Sequence, residues 1–171
     1  MKHKKIIVIG CGGSGKSTLS KELSKKLNIP VTHLDKLYWR DNWKHVSSEE
    51  FDSMLLEVLE KDSWIIDGNF SRTLLLRLEK CDTVIYLDFS RTTCLYGAFK
   101  RVLCNYGRTR DDMGGNCPER FDFDFFKWIW NFNKNNRDKY INMLSNLEGK
   151  NIYILRNRKE IGKFLEGIKI K

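Results

Sequence analysis

Residues 10–18 constrain the fold of this chain more than any other stretch. They read Gly-Cys-Gly-Gly-Ser-Gly-Lys-Ser-Thr and contain the pattern G-x-x-x-x-G-K-S. An apolar run, residues 5–9, precedes them, and residues 19–27 carry leucines spaced four apart, as on one face of a helix. Strand, glycine loop and helix in this order predict a phosphate-binding loop, because backbone N–H groups and a helix N-terminus converge on one anion. A glycine-rich turn that binds nothing is the alternative.

The side chains of this loop predict a nucleoside triphosphate as its ligand. The glycines can adopt backbone angles that other residues avoid, so the loop can close around a phosphate. We expect Lys16 to reach the β- and γ-phosphates and to serve catalysis by neutralising charge, and Ser17 to offer its hydroxyl to Mg²⁺. The residues predicted to bind the nucleotide in this loop are Gly10, Gly12, Gly13, Ser14, Gly15, Lys16, Ser17 and Thr18.

Length and composition favour one cytoplasmic domain spanning residues 1–171. The chain of 171 residues has no apolar stretch long enough to cross a membrane, and its five cysteines form no C-x-x-C pair, as expected of reduced thiols. The formal net charge is +9, with basic residues concentrated at both ends. This charge suits a triphosphate, a weak non-specific contact with nucleic acid, or simply a solvated basic surface.

Alternation of apolar runs with helical segments predicts a three-layer α/β/α fold with a five-stranded parallel sheet. Residues 106–120 have no apolar period, and a polar loop of this length in a compact domain predicts a lid or a binding loop. The predicted strands are 5–9, 31–34, 64–66, 83–87 and 151–155. The predicted helices are 17–27, 48–61, 70–79, 91–105, 121–147 and 158–167.

Three aspartates follow predicted strands, where ligands bind in sheets of this kind. Asp67 closes the run Trp-Ile-Ile and is the favoured Walker B carboxylate, which would hold Mg²⁺ with Ser17; Asp88 is the second candidate. Asp35 follows the second strand, where a carboxylate could orient an acceptor hydroxyl or take its proton. Each could instead cap a helix or lie in a surface ion pair.

Cations and aromatic residues in the second half of the chain are further candidates for the site. Arg101, Arg108 and Arg110 are predicted to clamp the transferring phosphoryl group, with a solvated basic loop as the alternative. Arg156 follows the last strand and could stack on the nucleotide base. Seven of the twelve residues 121–132 are aromatic, and their helical spacing favours a core face over a surface for base stacking.

Taken together, these motifs resemble the adenylate-kinase-like P-loop kinases, and within them the branch called DNA topology modulation proteins. The matching stretches are Ile-Gly-Cys-Gly-Gly-Ser-Gly-Lys-Ser-Thr, His-Leu-Asp-Lys-Leu-Tyr-Trp, Trp-Ile-Ile-Asp-Gly-Asn-Phe, Gly-Arg-Thr-Arg-Asp-Asp-Met and Phe-Lys-Trp-Ile-Trp-Asn-Phe. The resemblance implies the P-loop NTPase fold, strand order 2-3-1-4-5, ATP with Mg²⁺, and a lid over the site. One departure is Gly68-Asn69-Phe70-Ser71-Arg72, where adenylate kinases have Gly-Phe-Pro-Arg, an arginine that serves the AMP acceptor.

The sequence therefore predicts a kinase that transfers the γ-phosphoryl group of ATP to a small acceptor such as a nucleotide or nucleoside. The alternative function is a DNA-associated ATPase or regulator that affects DNA topology through its basic termini. The two differ in what should stimulate ATP turnover, which is a small acceptor in the first case and DNA in the second.

Overall fold

The computed structural model describes residues 3–168, and its centre is a parallel five-stranded sheet. The strands are β1 (Lys5–Gly10), β2 (Val31–His33), β5 (Trp64–Asp67), β6 (Thr83–Leu87) and β7 (Asn151–Leu155), in the spatial order β2-β5-β1-β6-β7. Counting only these five strands, this is the predicted topology 2-3-1-4-5. Two short strands, β3 (Trp39–Arg40) and β4 (Lys44–His45), form a separate antiparallel hairpin that the sequence analysis did not predict.

Helices cover the sheet and supply the second and third layers. They are α1 (Lys16–Leu27), α2 (Leu34–Tyr38), α3 (Ser48–Leu59), α4 (Leu74–Lys80), α5 (Arg91–Asn105), α6 (Phe123–Phe132), α7 (Asp138–Ser145) and α8 (Arg158–Gly167). Short 3₁₀ turns occur at Asp41–Trp43 and Ser71–Thr73. Several helices start on side-chain caps that satisfy a free backbone N–H, including Ser47 before α3, Ser90 before α5 and Asn157 before α8.

The three central strands form the core because both of their faces are covered. Ile6–Ile9 of β1 and all residues of β5 and β6 are buried. Strands of this kind read as continuous apolar runs, which is why the sequence located them well. Pairing places Val8 beside Asp67 and Gly10 beside Leu87, so the carboxyl ends of these strands meet at one edge of the sheet.

The predicted helix 121–147 is found as a continuous helical stretch from Phe123 to Ser145. A π-helical turn within it, Asn133–Arg137, lies between α6 and α7. The wider turn carries Arg137, whose guanidinium binds the buried carboxylate of Asp88 with N–O distances of 2.8 Å. A contact between residues so far apart in the chain cannot be read from the local helical period.

Candidate functional site

A cavity of about 870 Å³ lies at the carboxyl edge of the sheet, with the glycine loop on its floor. Gly13 and Gly15 have φ angles of 77° and 92°, which only glycine adopts easily, and α1 begins directly after them at Lys16. The ammonium group of Lys16 donates a hydrogen bond to the carbonyl of Cys11 at 3.0 Å, so it lies over the loop. The loop thus presents backbone N–H groups, a helix N-terminus and a cation to the same space.

Helix α5 packs against the back of this loop at a pair of glycines. A Cβ atom on Gly97 would lie 2.2 Å from the carbonyl oxygen of Gly13, and one on Gly13 would lie 2.1 Å from that of Cys94. Gly97 is therefore needed inside a helix, where glycine ordinarily costs stability. The sequence analysis did not single out this residue, although an isolated glycine within a helical period is a recognised signal of close packing.

Two aromatic residues of α6 close the loop from the other side. Phe125 and Trp128 stack with ring centroids 5.7 Å apart, and both line the cavity beside Gly12. The predicted core face is confirmed for Ile129 and Phe132, which are buried, but Trp128 is 42% exposed. The aromatic segment is therefore divided between the core and the wall of the site.

Asp67 joins the loop to the end of β2. Its Oδ2 atom accepts a hydrogen bond from the Ser17 hydroxyl at 2.7 Å and contacts Nδ1 of His33 at 2.8 Å. Its Oδ1 atom is buried and has no hydrogen-bond partner. A buried carboxylate oxygen without a partner, beside a hydroxyl and the glycine loop, fits Mg²⁺. Proteins bind this ion through one or two carboxylates together with substrate phosphates.

Asp88, the second Walker B candidate, is engaged elsewhere. Its carboxylate is buried and paired with Arg137, and Arg156 lies 3.8 Å away. It is not among the residues that line the cavity. Of the two aspartates, Asp67 alone contacts Ser17 in the described part of the chain.

A buried arginine that the sequence analysis missed fixes the loop after β5. Arg77 is fully buried in α4 and donates hydrogen bonds to the carbonyls of Gly68, Asn69, Phe70 and Thr73. Desolvation lowers the pKa of Arg77 to about 10. Its position three residues after Leu74, on the buried face of the helix, was the available signal.

The loop that Arg77 holds is bound in turn to the glycine loop. The Asn69 side chain accepts a hydrogen bond from Gly10 N at 3.0 Å and donates one to Gly10 O at 2.9 Å. Phe70, the next residue, has φ 35°, a left-handed conformation that is strained for a side chain of this kind. Arg77 and Asn69 together keep Phe70 at the edge of the cavity.

Asp35 lies in α2 and lines the cavity beside Asp67. Asp35 as a residue is exposed to solvent by its accessible surface, whereas protein atoms lie densely around its carboxyl group. This desolvation raises the pKa of the Asp35 carboxyl, and the charge of Asp67 raises it further, while Lys16 and Arg110 act in the opposite direction. Perturbed carboxyl groups of this kind are common at catalytic sites.

Arg101 and Arg110 enter the cavity as a pair held by one carboxylate. Arg101 Nη2 lies 2.9 Å from Oε1 of Glu119, and Arg110 Nε lies 2.8 Å from its Oε2. Arg110 also contacts Asp112 at 2.9 Å. Glu119 is buried, so it fixes both guanidinium groups against the cavity.

The other predicted arginines lie outside the cavity lining, and an unpredicted one lies within it. Arg108 and Arg156 are both exposed, and Arg156 Nε lies 3.8 Å from Oδ2 of Asp88. Arg158, at the start of α8, places its guanidinium 2.3 Å from where a Cβ of Gly15 would be and over the ring of Phe89. Arg158 therefore brings a second cation, besides Lys16, close to the glycine loop.

Residues 106–120, which we call the lid segment, rest on the β3–β4 hairpin. Asn116 N donates to Asp41 Oδ1 at 2.6 Å, and Asn42 N donates to Asn116 O at 3.0 Å. The thiol of Cys117 donates to the carbonyl of Arg40 at 3.0 Å. Within this hairpin, Trp39 and Trp43 pack against each other, and Arg40 pairs with Glu50.

Comparison with known proteins agrees with this architecture and goes no further. A shikimate kinase from Bacteroides thetaiotaomicron superimposes with a TM-score of 0.57 over 96% of this chain and 95% of that chain, at 18% sequence identity. The chain thus has the fold of the P-loop kinases. No family model matches the sequence, and no curated protein matches it.

The structural similarity supports the P-loop kinase fold. It does not support membership of the DNA topology modulation branch, whose motifs the sequence resembles. At such low identity the likeness concerns the fold alone. Within residues 3–168, no helix has the length and apolar character needed to cross a membrane.

Proposed function

We propose that this protein is an ATP-dependent kinase that transfers the γ-phosphoryl group to a hydroxyl of a small acceptor. The single observation that carries the proposal is the cavity itself. Its lining brings together the glycine loop, the Ser17–Asp67 pair, the desolvated Asp35 and the Glu119-bound arginines. These are the parts that phosphoryl transfer needs: an anion cradle, a place for Mg²⁺, a proton acceptor and cations over the transferring group.

The proposed chemistry assigns each of these groups one task. The acceptor hydroxyl loses its proton to the carboxylate of Asp35, and its oxygen forms a bond to the γ-phosphorus. The bond between that phosphorus and the β–γ bridging oxygen breaks, and ADP leaves with the electron pair. Arg101 and Arg110 stabilise the negative charge on the transferring group, and the lid segment that carries Arg110 and Glu119 excludes water.

The remaining side chains would bind ATP. Lys16 neutralises charge on the β- and γ-phosphates, and Arg158 adds a second cation at the loop. Mg²⁺, when held by the Ser17 hydroxyl and the Asp67 carboxylate, supplies the positive charge that offsets the triphosphate. Arg156, which directly follows β7, stays our candidate for contact with the base. Arg108 stays a candidate for closing over the triphosphate. The resemblance to topology modulation proteins names no acceptor.

Nucleotide binding is tested by thermal unfolding with and without Mg·ATP. At a hundredfold excess over Kd, the ligand should stabilise the fold by about 2.7 kcal/mol, which for a chain of this size raises Tm on the order of 5–10 °C. Lys16→Ala should lose most of this shift, and Lys25→Ala, exposed on the same helix, should keep it. No shift in the wild type at millimolar Mg·ATP would refute the proposal.

Acceptor chemistry is tested by steady-state turnover over a panel of sugars, nucleosides, nucleotides and hydroxy acids, shikimate included, and over DNA. Asp35→Asn should keep the Mg·ATP shift but reduce transfer to the active acceptor by about 10²–10⁴-fold, the usual effect of a general base. Stimulation of hydrolysis by DNA alone, equal in wild type and Asp35→Asn, would favour the DNA-associated ATPase instead.

A further inference from the structure

A second cavity, of about 370 Å³, adjoins the first on the far side of Asp35. Asp35, Phe70 and Ser71 line both cavities, so a ligand in the second one can present a group to the carboxylate that faces the phosphate loop. The volume lies at the lower end of the range for small-molecule sites. A ligand in the second cavity would therefore approach the γ-phosphate of an ATP bound at the glycine loop from the side of Asp35.

Aromatic rings form most of the second cavity's apolar wall. Phe70 lies 5.0 Å from both Tyr38 and Phe51, measured between ring centroids, and Trp39 packs edge-on against Tyr38 at 4.9 Å. Phe51 is buried, which leaves Phe70, Tyr38 and Trp39 as the rings with surface to offer. Such rings favour a ligand with a flat or ring-shaped apolar face.

The polar groups of this cavity are mainly uncharged. Ser48, Ser71 and Thr73 contribute hydroxyl groups, which suit a ligand that carries hydroxyls of its own. The cavity's arginine, Arg72, is already bidentate, because its two terminal nitrogens donate to the two carboxylate oxygens of Asp52 at 2.7 Å each.

The charges of the two cavities therefore differ in kind. The lining of the first includes Lys16, Lys100 and Arg158, which suit a polyanion. The lining of the second includes Arg72, which is paired with Asp52, and the carboxylate of Asp35. A phosphate or carboxylate group in the second cavity would have to separate Arg72 from Asp52 or remain unpaired. The exposed Arg72–Asp52 pair is weak, but an anion would also meet the like charge of the Asp35 carboxylate, so an anionic acceptor is disfavoured.

Phe70 is preset for this role by the surrounding backbone. Its strained φ of 35° is maintained by the hydrogen bond from Arg77 to its carbonyl, at 2.9 Å, and by the two hydrogen bonds between the Asn69 side chain and the Gly10 backbone. Strain of this kind persists where the surrounding structure enforces it, and it is concentrated at ligand sites. The ring therefore need not rearrange to receive a ligand.

We propose that the acceptor is an uncharged ring compound with a free hydroxyl, a sugar or a nucleoside, bound in the second cavity against Phe70. This inference rests on the proposed kinase function. The hydroxyl proton passes to Asp35, the hydroxyl oxygen bonds to the γ-phosphorus of ATP, and ADP leaves with the electrons of the bond that breaks. A nucleoside monophosphate or a sugar acid would be a poor acceptor for the same site.

The test compares matched acceptors that differ in charge, each with saturating Mg·ATP. Thymidine and adenosine are paired with their 5′-monophosphates, and glucose is paired with glucuronate. One uncharged member is expected to turn over with a kcat/KM at least about tenfold above its anionic partner. Which pair shows the effect distinguishes a nucleoside from a sugar. A preference for the anionic partner, or turnover of no uncharged member, would overturn the proposal.

Two variants examine the cavity itself. Phe70→Leu should raise the acceptor KM by about tenfold through loss of the ring face, and should raise it more than the KM for ATP, because Phe70 borders the first cavity as well. Phe123→Leu, at an exposed phenylalanine that lines neither cavity, should change neither KM. Asp52→Asn releases Arg72 and should raise kcat/KM for the anionic partner. An unchanged acceptor KM in Phe70→Leu, or no gain for the anion in Asp52→Asn, would count against the site.

Failure of the inference is separable from failure of the kinase proposal. The same protein preparations are measured for the Mg·ATP shift in Tm. If the shift is present and an anionic acceptor is phosphorylated, the kinase proposal stands and the acceptor class is wrong. If the shift is absent, the kinase proposal itself fails.

Discussion

Replacing Arg77 by methionine should destabilise the fold far more than its place on a short helix suggests. Methionine keeps the apolar stem of the side chain but removes the donors for the carbonyls of Gly68, Asn69, Phe70 and Thr73. Each buried carbonyl left without a donor costs about 1–3 kcal/mol. Part of this cost is offset because the variant no longer buries an arginine charge, whose desolvation is evident from its lowered pKa of about 10.

We therefore expect a net loss of about 3 kcal/mol in the free energy of unfolding. For a chain of this size each kcal/mol lowers Tm by about 2–4 °C, so the melting temperature should fall by about 10 °C. Urea denaturation gives the free energy, and calorimetry gives Tm. Lys80→Met on the same helix is the matched control, since an exposed ion pair such as Lys80–Glu60 contributes little to stability in water.

The variant should also weaken nucleotide binding, because Arg77 orients the loop whose Asn69 side chain is hydrogen-bonded to the backbone of Gly10. The Mg·ATP shift in Tm, measured relative to each variant's own apo form, should shrink in Arg77→Met and stay unchanged in Lys80→Met. If Arg77→Met unfolds within about 1 kcal/mol of the wild type, the four carbonyls have other partners and the reasoning is wrong.

Two further predictions address other parts of the site. Desolvation raises the pKa of Asp35, so the wild type loses stability as pH rises from the ordinary carboxyl pKa of about 4 through the folded-state value. Asp35→Asn should remove this loss and be the more stable protein at neutral pH, as measured by urea denaturation across that range. A less stable variant at neutral pH would contradict the cause assigned to the pKa shift. Gly97→Ala should lower the free energy of unfolding by about 1–3 kcal/mol and reduce the Mg·ATP shift in Tm, because its methyl group would lie 2.2 Å from Gly13 O. Gly162→Ala, in a helix with open space around that residue, should be neutral or stabilising. Equal effects of the two substitutions would refute the packing argument.

The fold was accessible from sequence where local pattern and tertiary role coincide. The central strands are buried on both faces, so apolar runs such as 83–87 locate them without knowledge of their partners. The β3–β4 hairpin was not accessible, since its turn depends on Asn42 and Trp43 at positive φ and on its contacts with the lid segment. Such conformations are set by the surrounding structure rather than by residue type.

The candidate site divides in the same way. Most of the predicted residues follow from motif and strand position, and the structure places around one cavity Gly12, Gly13, Gly15, Lys16, Ser17, Thr18, Asp35 and Asp67. Gly10 and Ser14 of the same loop do not line the cavity. Arg77 was missed because an arginine on an amphipathic helix is usually exposed, and here only its place on the apolar face argued otherwise. The predicted start of the last helix, residue 158, agrees with α8, but the approach of Arg158 to the glycine loop depends on how α8 packs against that loop, which the local sequence does not give.

The attachment of the lid segment to the β3–β4 hairpin has a mechanical consequence. With Asn116, Asn42 and Cys117 hydrogen-bonded across this contact, the lid segment and the hairpin behave as one body. Motion of the arginine-bearing segment away from the glycine loop must either break these bonds or carry Trp39, on the wall of the second cavity, along with it. In the second case entry to both cavities is controlled by a single displacement, and the two ligands of the proposed reaction would influence each other's dissociation rates.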